Sequence, residues 1–366
     1  MQNNAVRTLK GVKIIEFSAI GPIPFCAMLL ADMGADVIRI DRPGTPDTGS
    51  ADIQGRGKRS IALDLKDPDD NLTAKKLMQS SDIVMEGLRP GVMERLGLGP
   101  EEVLKANQKL IYGRMTGWGQ DGPLAEQAGH DINYIAITGA LAAIGVGDAP
   151  PPPPLNLLGD YGGGALYLAM GLLAGLHHAR STGQGQVIDA AIVDGTLSLM
   201  TPIHWLKQSS MWVNERNNNL LDGAAHFYAT YVCADGKYIA VGAIEPKFYE
   251  ILCDKLELGD DLRQQQYAKE KWPIFKSVLS GIFANQPLAH WIKLFEASDA
   301  CVAPVEDMIS AAEHPHIKAR DSMLTLDGVL QPAPAPRFSA TASYIGSKPP
   351  SIDGDRKQIL HDWGIH

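Results

Sequence analysis

Short apolar runs alternate with amphipathic stretches through the first third of the chain. Val12 to Phe17 is an apolar run carrying one acid, Glu16. A turn and a small-residue helix around Pro24 to Met33 follow, and Asp36 to Ile40 is a second run. Ile61 to Leu65, Ile83 to Met85 and Leu110 to Met115 supply further strand candidates, because short apolar runs bounded by turn residues fit strands buried on both faces. Between them, Asn71 to Gln79, with Asp67-Pro68 as its start signal, and Pro100 to Ala106 read as helices. This βαβ rhythm predicts an α/β fold, a parallel sheet covered by helices.

Beyond Tyr134 the pattern becomes mainly helical. It is broken by the proline run Pro150 to Pro154, read as a stiff extended connector. Tyr161 to Leu176 reads as a buried apolar helix, Gln186 to Asp189 as one more strand, and Val193 to Leu206 as a helix. The polar stretch Asn214 to Asn219 then marks a boundary. Past it, Phe227 to Cys233 and Tyr238 to Val241 flank Ala234-Asp235-Gly236, a hairpin signal. Amphipathic helices follow around Lys247 to Leu256, Trp272 to Ala284 and Ala289 to Ala297. The expected organisation is a large α/β domain over 1–205 and a smaller α+β domain over 206–324. The Pro-rich Gln331 to Arg337 and a final helix near Asp355 to Trp363 return to the first body within 325–366.

Composition narrows the classes. At 366 residues the chain is long enough to bury a sizeable core without a disulfide or metal staple. Its net charge of −9 argues against a nucleic-acid partner but leaves room for a local basic pocket. Cys26, Cys233, Cys253 and Cys301 are isolated, with no CxxC pair, so neither a zinc site nor a disulfide framework is expected. Reduced thiols and an N-terminus without an apolar signal run point to a cytoplasmic protein. So does a C-terminus that is not Ser-Lys-Leu. Tyr161 to Leu176 falls short of the ~20 residues of a bilayer span, so no membrane partner is expected.

Several familiar motifs are incomplete in this chain. Asp41 lies at the distance from Gly21 where an acid would grip a dinucleotide ribose, but Ser18 to Ile23 lacks the GxGxxG spacing. Gly57-Lys58-Arg59 lacks the earlier P-loop glycine, since Asp52 stands there, and GxSxG is absent. The basic residues Arg39, Arg42, Arg56, Lys58, Arg59, Lys66, Arg89 and Arg95 fall at strand ends and on the loops between strands. In a doubly wound sheet such loops converge on one crevice, where guanidinium forks match phosphate oxygens. A scatter of solvated surface charge fits the same positions.

Gly129-His130-Asp131 leads straight into the apolar helical pattern Ile135 to Ile144, making Asp131 an expected N-cap and placing His130 beside helix N-terminal donors. Asp160 opens a hydrophobic helix before three glycines that permit close approach of a bulky group. Glu245, before Pro246, opens a helix in the second domain. A simple capping role fits both acids equally well.

At these residues the chain resembles the α-methylacyl-CoA racemases of the family III CoA-transferase superfamily. The matching stretches include VKIIEFSAIGPIPFCAMLLADMGADVIRIDRPG, RGKRSIALDLK, LRPGVMERLGLGP, AGHDINYIAITG, PLNLLGD and YIAVGAIEPKFYE, in order along nearly the whole chain. The resemblance implies a Rossmann-like large domain, a small domain, and an interlocked homodimer whose active site lies between the large domain of one subunit and the small domain of the other. It implies isomerase chemistry, interconverting (R) and (S) 2-methylacyl-CoA thioesters in fatty-acid metabolism, with no metal and no cofactor beyond the CoA of the substrate.

Carried over by position, His130 and Asp160 are the two acid/bases. Glu245 arrives from the other subunit to hydrogen-bond His130, and the backbone N–H of Asp131 faces the enolate oxygen. The implied CoA-binding positions are Arg42, Ala62, Leu63, Asp64, Leu65, Gly87, Leu88, Arg89, Arg95, Gly129, His130, Asp131, Ile132, Asn133 and Tyr134. The chain departs from the family pattern at Tyr161, where the racemases tend to carry Phe. It departs again at Gly223-Ala224-Ala225-His226, where they carry Gly-Gly-Ala-Pro. The alternative on the same scaffold is a CoA-transferase in which Asp160 attacks the thioester as a nucleophile.

Overall fold

The computed structural model describes residues 7–365. Six strands form one sheet: β1 (Lys13–Phe17), β2 (Asp36–Asp41), β3 (Lys58–Ala62), β4 (Ile83–Glu86), β5 (Ile111–Thr116) and β6 (Gln186–Ala191). Their order is β3-β2-β1-β4-β5-β6, and every neighbouring pair is parallel. The order reverses between β1 and β4, which opens a crevice beyond the carboxyl ends of the strands. The expected α/β class and Rossmann-like sheet are therefore what the chain forms.

The strands read as apolar runs because helices cover both faces. Ile14, Val37, Ile83 and Ile111 pack with the helix Pro22–Asp32 and with Leu168 and Leu172 on one side. Ile15, Ile38, Ile61, Val84 and Tyr112 pack with Leu77 and Trp363 on the other. The helix Pro68–Gln79 starts where expected, with the Asp67 carboxylate accepting the N–H groups of Asp69 and Asp70.

Four local expectations are corrected. The strand expected at Ile61 to Leu65 begins earlier, at Lys58, because its two basic side chains are neutralised by acids on other elements. Lys58 Nζ lies 2.7 Å from Glu16 Oε2, and Arg59 pairs with Asp36 and Asp362. The helix expected over Val193 to Leu206 is two helices, Ile192–Leu199 and Thr201–Gln208, divided at the residues that precede Pro202. The apolar pattern Ile135 to Ile144 gives only the short helix Asp131–Ala136 and a 3₁₀ turn at Leu141–Ala143, with Gly139 at φ +82° between them.

The fourth correction concerns the long apolar helix. It starts at Leu157 with a π-helical stretch, Leu157–Ala165, that runs on as α-helix through Thr182. At 26 residues it is long and apolar enough by length and composition to cross a membrane. It packs Leu168, Leu172 and Leu176 into the sheet core. Leu157, Leu166 and Met170 remain exposed on its other side.

The chain divides into two compact units. The first comprises Met1–Thr138, Pro154–Leu199 and Lys318–His366; the second comprises Gly139–Pro153 and Met200–Ile317. The segment before Pro154 thus goes with the second unit rather than lying inside one continuous 1–205 domain. In the second unit, β7 (Tyr228–Val232), β8 (Tyr238–Gly242) and β9 (Val302–Pro304) form an antiparallel sheet, with the hairpin at Asp235-Gly236. Its core is aromatic, built from Phe227, Tyr249, Trp272, Phe283 and Trp291.

Within the first unit, β10 (Met323–Leu326) and β11 (Val329–Pro332) make a second hairpin that the proline-rich reading of this region missed. Its turn residues Asp327 and Gly328 both have positive φ. The final helix, Arg356–Trp363, is tied to the sheet by Trp363 Nε1 donating to Asp36 Oδ2 at 2.9 Å.

Candidate active site

Two cavities lie beyond the carboxyl ends of the strands. One, about 580 Å³, is lined by Ile20–Ile23 after β1, Gly87 and Arg89 after β4, and Met115–Gly117 at the end of β5. Gly129, His130, Asp131, Tyr134, Asn156, Asp160, Tyr161 and Ile192 complete it. The other, about 640 Å³, is lined by Arg42, Thr45, Leu63, Asp64, Leu65, Lys66, Leu88 and Arg95. The first carries the candidate proton-transfer groups, and the second carries cations and apolar walls.

Two pieces of chain position the first cavity. The helix Asp131–Ala136 is capped by His130 rather than by Asp131, as the sequence had suggested. The His130 N–H donates to Asn133 Oδ1 at 3.1 Å, and the His130 carbonyl accepts the Asn133 N–H at 2.8 Å. Asp131 is released from capping its own helix. Its Oδ1 accepts the Asp160 N–H at 2.7 Å.

Asp160 is not at a helix N-cap either. It sits inside the π-helical stretch, where the Tyr161 N–H reaches back to the Asn156 carbonyl at 3.2 Å. The stretch packs against the helix Ile192–Leu199 so closely that a Cβ on Gly195 would lie 1.8 Å from the Gly163 carbonyl oxygen.

Burial pushes the Asp160 carboxyl above the usual carboxylate range. A hydrogen bond from Asn156 Nδ2 (3.2 Å to Oδ2) and the nearby His130 pull the other way. Burial likewise raises Asp131, opposed by the backbone N–H groups of Asp160 and Gly159. The phenol of Tyr134 is raised by burial and by the Asp160 charge; it donates to the Gly129 carbonyl and packs edge-on against Trp118. Tyr161, the departure from Phe, accepts a hydrogen bond from Gln54 Nε2 at 3.2 Å and leans on Phe25.

The eight basic residues noted in the sequence separate into two groups. Arg39 is paired with Asp41 and Asp52, Arg56 with Asp32, Lys58 with Glu16, and Arg59 with Asp36 and Asp362. These four are structural and do not gather on one ligand. Arg42, Lys66, Arg89 and Arg95 carry no ion pair among the described residues, and all four line the cavities.

The Gly87-Leu88-Arg89 loop is held from beneath. Glu86, fully buried, accepts the Leu88 N–H at 2.7 Å and Arg114 Nε at 3.0 Å, while Arg114 also reaches Glu94.

Not every residue singled out in the sequence reaches a cavity. Ala62 is buried at the end of β3, its N–H held by Asp353 and its carbonyl by Arg356. Ile132 and Asn133 lie on the helix beside the first cavity without lining it. Glu245 is in the second unit, as N-cap of the helix Pro246–Lys255. Sequence reasoning passed over Asn156, which stands four residues before Asp160 and so can share its helix face. It also passed over the role of the Asp131 side chain. Among the described residues no group of three or more His, Cys, Asp or Glu side chains is placed to hold a metal ion.

Residues 9–356 match the family described as CoA-transferase family III. The chain is 43% identical over 361 residues to alpha-methylacyl-CoA racemase of Homo sapiens, covering 98% of this chain and 94% of that protein. It is 42% identical over 360 residues to the racemase of Mus musculus, covering 98% and 93%. Among solved structures, a CAIB/BAIF family protein from Brucella suis superposes with a TM-score of 0.82 at 23% identity, over 98% of this chain and 99% of that one.

Proposed function

The chain belongs to CoA-transferase family III, and from that premise we propose that it is an isomerase acting on 2-methylacyl-CoA thioesters. It interconverts their (R) and (S) forms by 1,1-proton transfer. The observation that carries the reading is that the His130 imidazole and the Asp160 carboxyl line one cavity. An α-proton next to a thioester is weakly acidic, so its removal needs a base on one face. Inversion needs an acid on the other. One of the two groups takes the α-proton and leaves an enolate; the other returns a proton to the opposite face.

General acid–base transfer of this kind contributes about 10² to 10⁴-fold. The Asp131 N–H, in the first turn of its helix, is the donor assigned to the enolate oxygen, and such preorganised donors supply a further large part. Burial that lifts Asp160 brings its proton affinity closer to that of an imidazole, which suits a residue that must both give and take a proton. The CoA moiety is assigned to the second cavity, where Arg42, Lys66 and Arg95, without an ion pair among the described residues, offer cations to phosphate oxygens.

The reading extends to assembly and location. Leu155, Leu157, Leu166, Met170, Leu197 and Leu199 are large apolar side chains left exposed on the first unit. They support a homodimer that covers them, with Glu245 of a second copy hydrogen-bonded to His130. The reaction is written with no metal and no cofactor besides the CoA of its substrate. A cytoplasmic location is part of the proposal, supported by the free thiols of Cys26, Cys233 and Cys253.

The test is incubation with single enantiomers of a 2-methylacyl-CoA ester in heavy water without an acyl acceptor. Deuterium entering the α-carbon with loss of optical purity is expected, and His130→Ala is expected to abolish racemisation while still binding the ester. Absence of wash-in together with a hydroxylamine-trapped acyl group on Asp160 overturns this reading in favour of CoA transfer.

A further inference from the structure

We propose that the Asp131 carboxylate is a positioning group that braces the backbone of Gly159 and Asp160. It thereby fixes the Asp160 side chain relative to His130. The proposal deepens the racemase reading and rests on it. The helix beginning at Leu157 leaves its first N–H groups without intrahelical acceptors. The π-helical register widens that gap, because each N–H looks five residues back rather than four.

The Asp131 carboxylate fills it from a different element. Its Oδ1 takes the Asp160 N–H at 2.7 Å, and the Gly159 N–H also points at the carboxylate. Residue 159 must lack a side chain for this to happen, since a Cβ there would sit 2.2 Å from Asp131 Oδ1. Asp131 is also the covalent neighbour of His130, whose own backbone is clamped by Asn133. A single residue therefore spans the two proton-transfer groups. It joins His130 through a peptide bond and Asp160 through a charge-assisted hydrogen bond.

The brace acts on the Asp160 side of the site alone, which gives it a signature that general damage lacks. Asp160→Asn first identifies which enantiomer depends on Asp160 for α-deuteration. Asp131→Ala is then expected to slow deuteration of that enantiomer by about 30- to 100-fold, the scale expected for a misplacement on the order of 1 Å. Deuteration of the other enantiomer, served by His130, falls less than about 3-fold.

Asp131→Asn keeps an acceptor oxygen at the same place and is expected to restore the rate to within about 3-fold of the parent. Gly159→Ala is read by amide exchange alone, because its Cβ would meet the buried Ile135 Cγ2 at 2.8 Å as well as the carboxylate. Independently of turnover, amide hydrogen exchange at residues 159–161 speeds up in Asp131→Ala and Gly159→Ala and not in Asp131→Asn. Equal loss on both enantiomers, an Asn variant as impaired as Ala, or unchanged amide exchange each overturns the proposal. Absence of α-deuteration in the parent protein overturns the racemase reading instead, and the amide measurement still decides the brace.

Discussion

Removing the side chain of Asn156 should move the acid limb of the reaction to higher pH. Asn156 Nδ2 lies 3.2 Å from Asp160 Oδ2, and its hydrogen bond favours the ionised carboxylate against the burial that raises it. Hydrogen bonds to charged groups are worth about 1.5–3 kcal/mol when fully formed and buried. This one is long and the carboxyl is half-buried, so solvent screening reduces it to about 1 kcal/mol. An energy of about 1 kcal/mol is roughly a 5-fold change in an equilibrium, so Asn156→Ala shifts Asp160 toward its protonated form by about that factor.

Loss of a donor to the charged form favours the proton, and a higher pH is then needed to ionise the base. The assay is kcat/KM for α-deuteration against pH, using the enantiomer that Asp160→Asn shows to depend on residue 160. On the acid limb the kcat/KM of Asn156→Ala should lie about 5-fold below the parent at the same pH, the limb being displaced to higher pH, with the pH-independent plateau little changed. A limb that stays in place or moves to lower pH refutes the assignment of Asp160 as the group titrating there.

Three further outcomes follow from buried polar groups. Lys58→Met leaves Glu16 uncompensated in a dry site and should cost about 3–5 kcal/mol in urea unfolding, most of it recovered in Glu16→Leu/Lys58→Met. Burial raises the Glu16 carboxyl, so the single variant's deficit should grow as pH rises above the ordinary carboxylate range and shrink in acid.

Glu86→Ala removes the acceptor under Leu88 N–H and should raise KM for CoA esters by about 10-fold with a smaller effect on kcat, measured by steady-state kinetics. His226 is fully buried, its Nε2 2.7 Å from the Tyr249 hydroxyl, and burial lowers its pKa to about 4. The unfolded chain binds that proton from ~6.5 downward, so stability falls as pH drops through this window, by about 3 kcal/mol in all. His226→Gln should remove that dependence in urea titrations run between about pH 4 and 7.

What could be read from the sequence, and what could not, depends on how far away the deciding partner lies. The runs at Val12 to Phe17 and Ile83 to Met85 announce themselves because a strand covered on both faces needs apolar residues in succession. Asp67-Pro68 announces a helix because cap and first turn are adjacent. Lys58 and Arg59 break the pattern of an apolar strand, and only acids on other elements, Glu16 and Asp362 among them, make them acceptable there. The same holds for the basic residues taken together. Arg56 looks as available as Arg42 in the sequence, yet it is spent on Asp32 and on Gln331, 275 positions away.

At the site, the residue types and their neighbourhood were legible, whereas the backbone around Asp160 was not. A π-helical stretch has no short-range signature of its own. Here it coincides with the close approach of Gly163 to Gly195 and with the reach of Asp131, both long-range contacts.

Proton exchange and acyl transfer place different demands on the carboxyl at position 160. A nucleophile needs an ionised oxygen free to approach the thioester carbon and to become an ester-like atom in a mixed anhydride. A proton shuttle needs only one oxygen within hydrogen-bond reach of the α-carbon's proton and an affinity for that proton not far below the working pH. In this chain Asp160 Oδ2 accepts a hydrogen bond from Asn156 Nδ2, and position 21 leaves no free room for a Cβ, which would come within 3.2 Å of the same oxygen. Burial raises the carboxyl's proton affinity, which weakens the case for a permanently ionised nucleophile. His130 opens on the same cavity and gives a second proton carrier that covalent transfer would leave without a task. A raised affinity and a partner imidazole fit removal and return of a proton better than attack on a carbonyl.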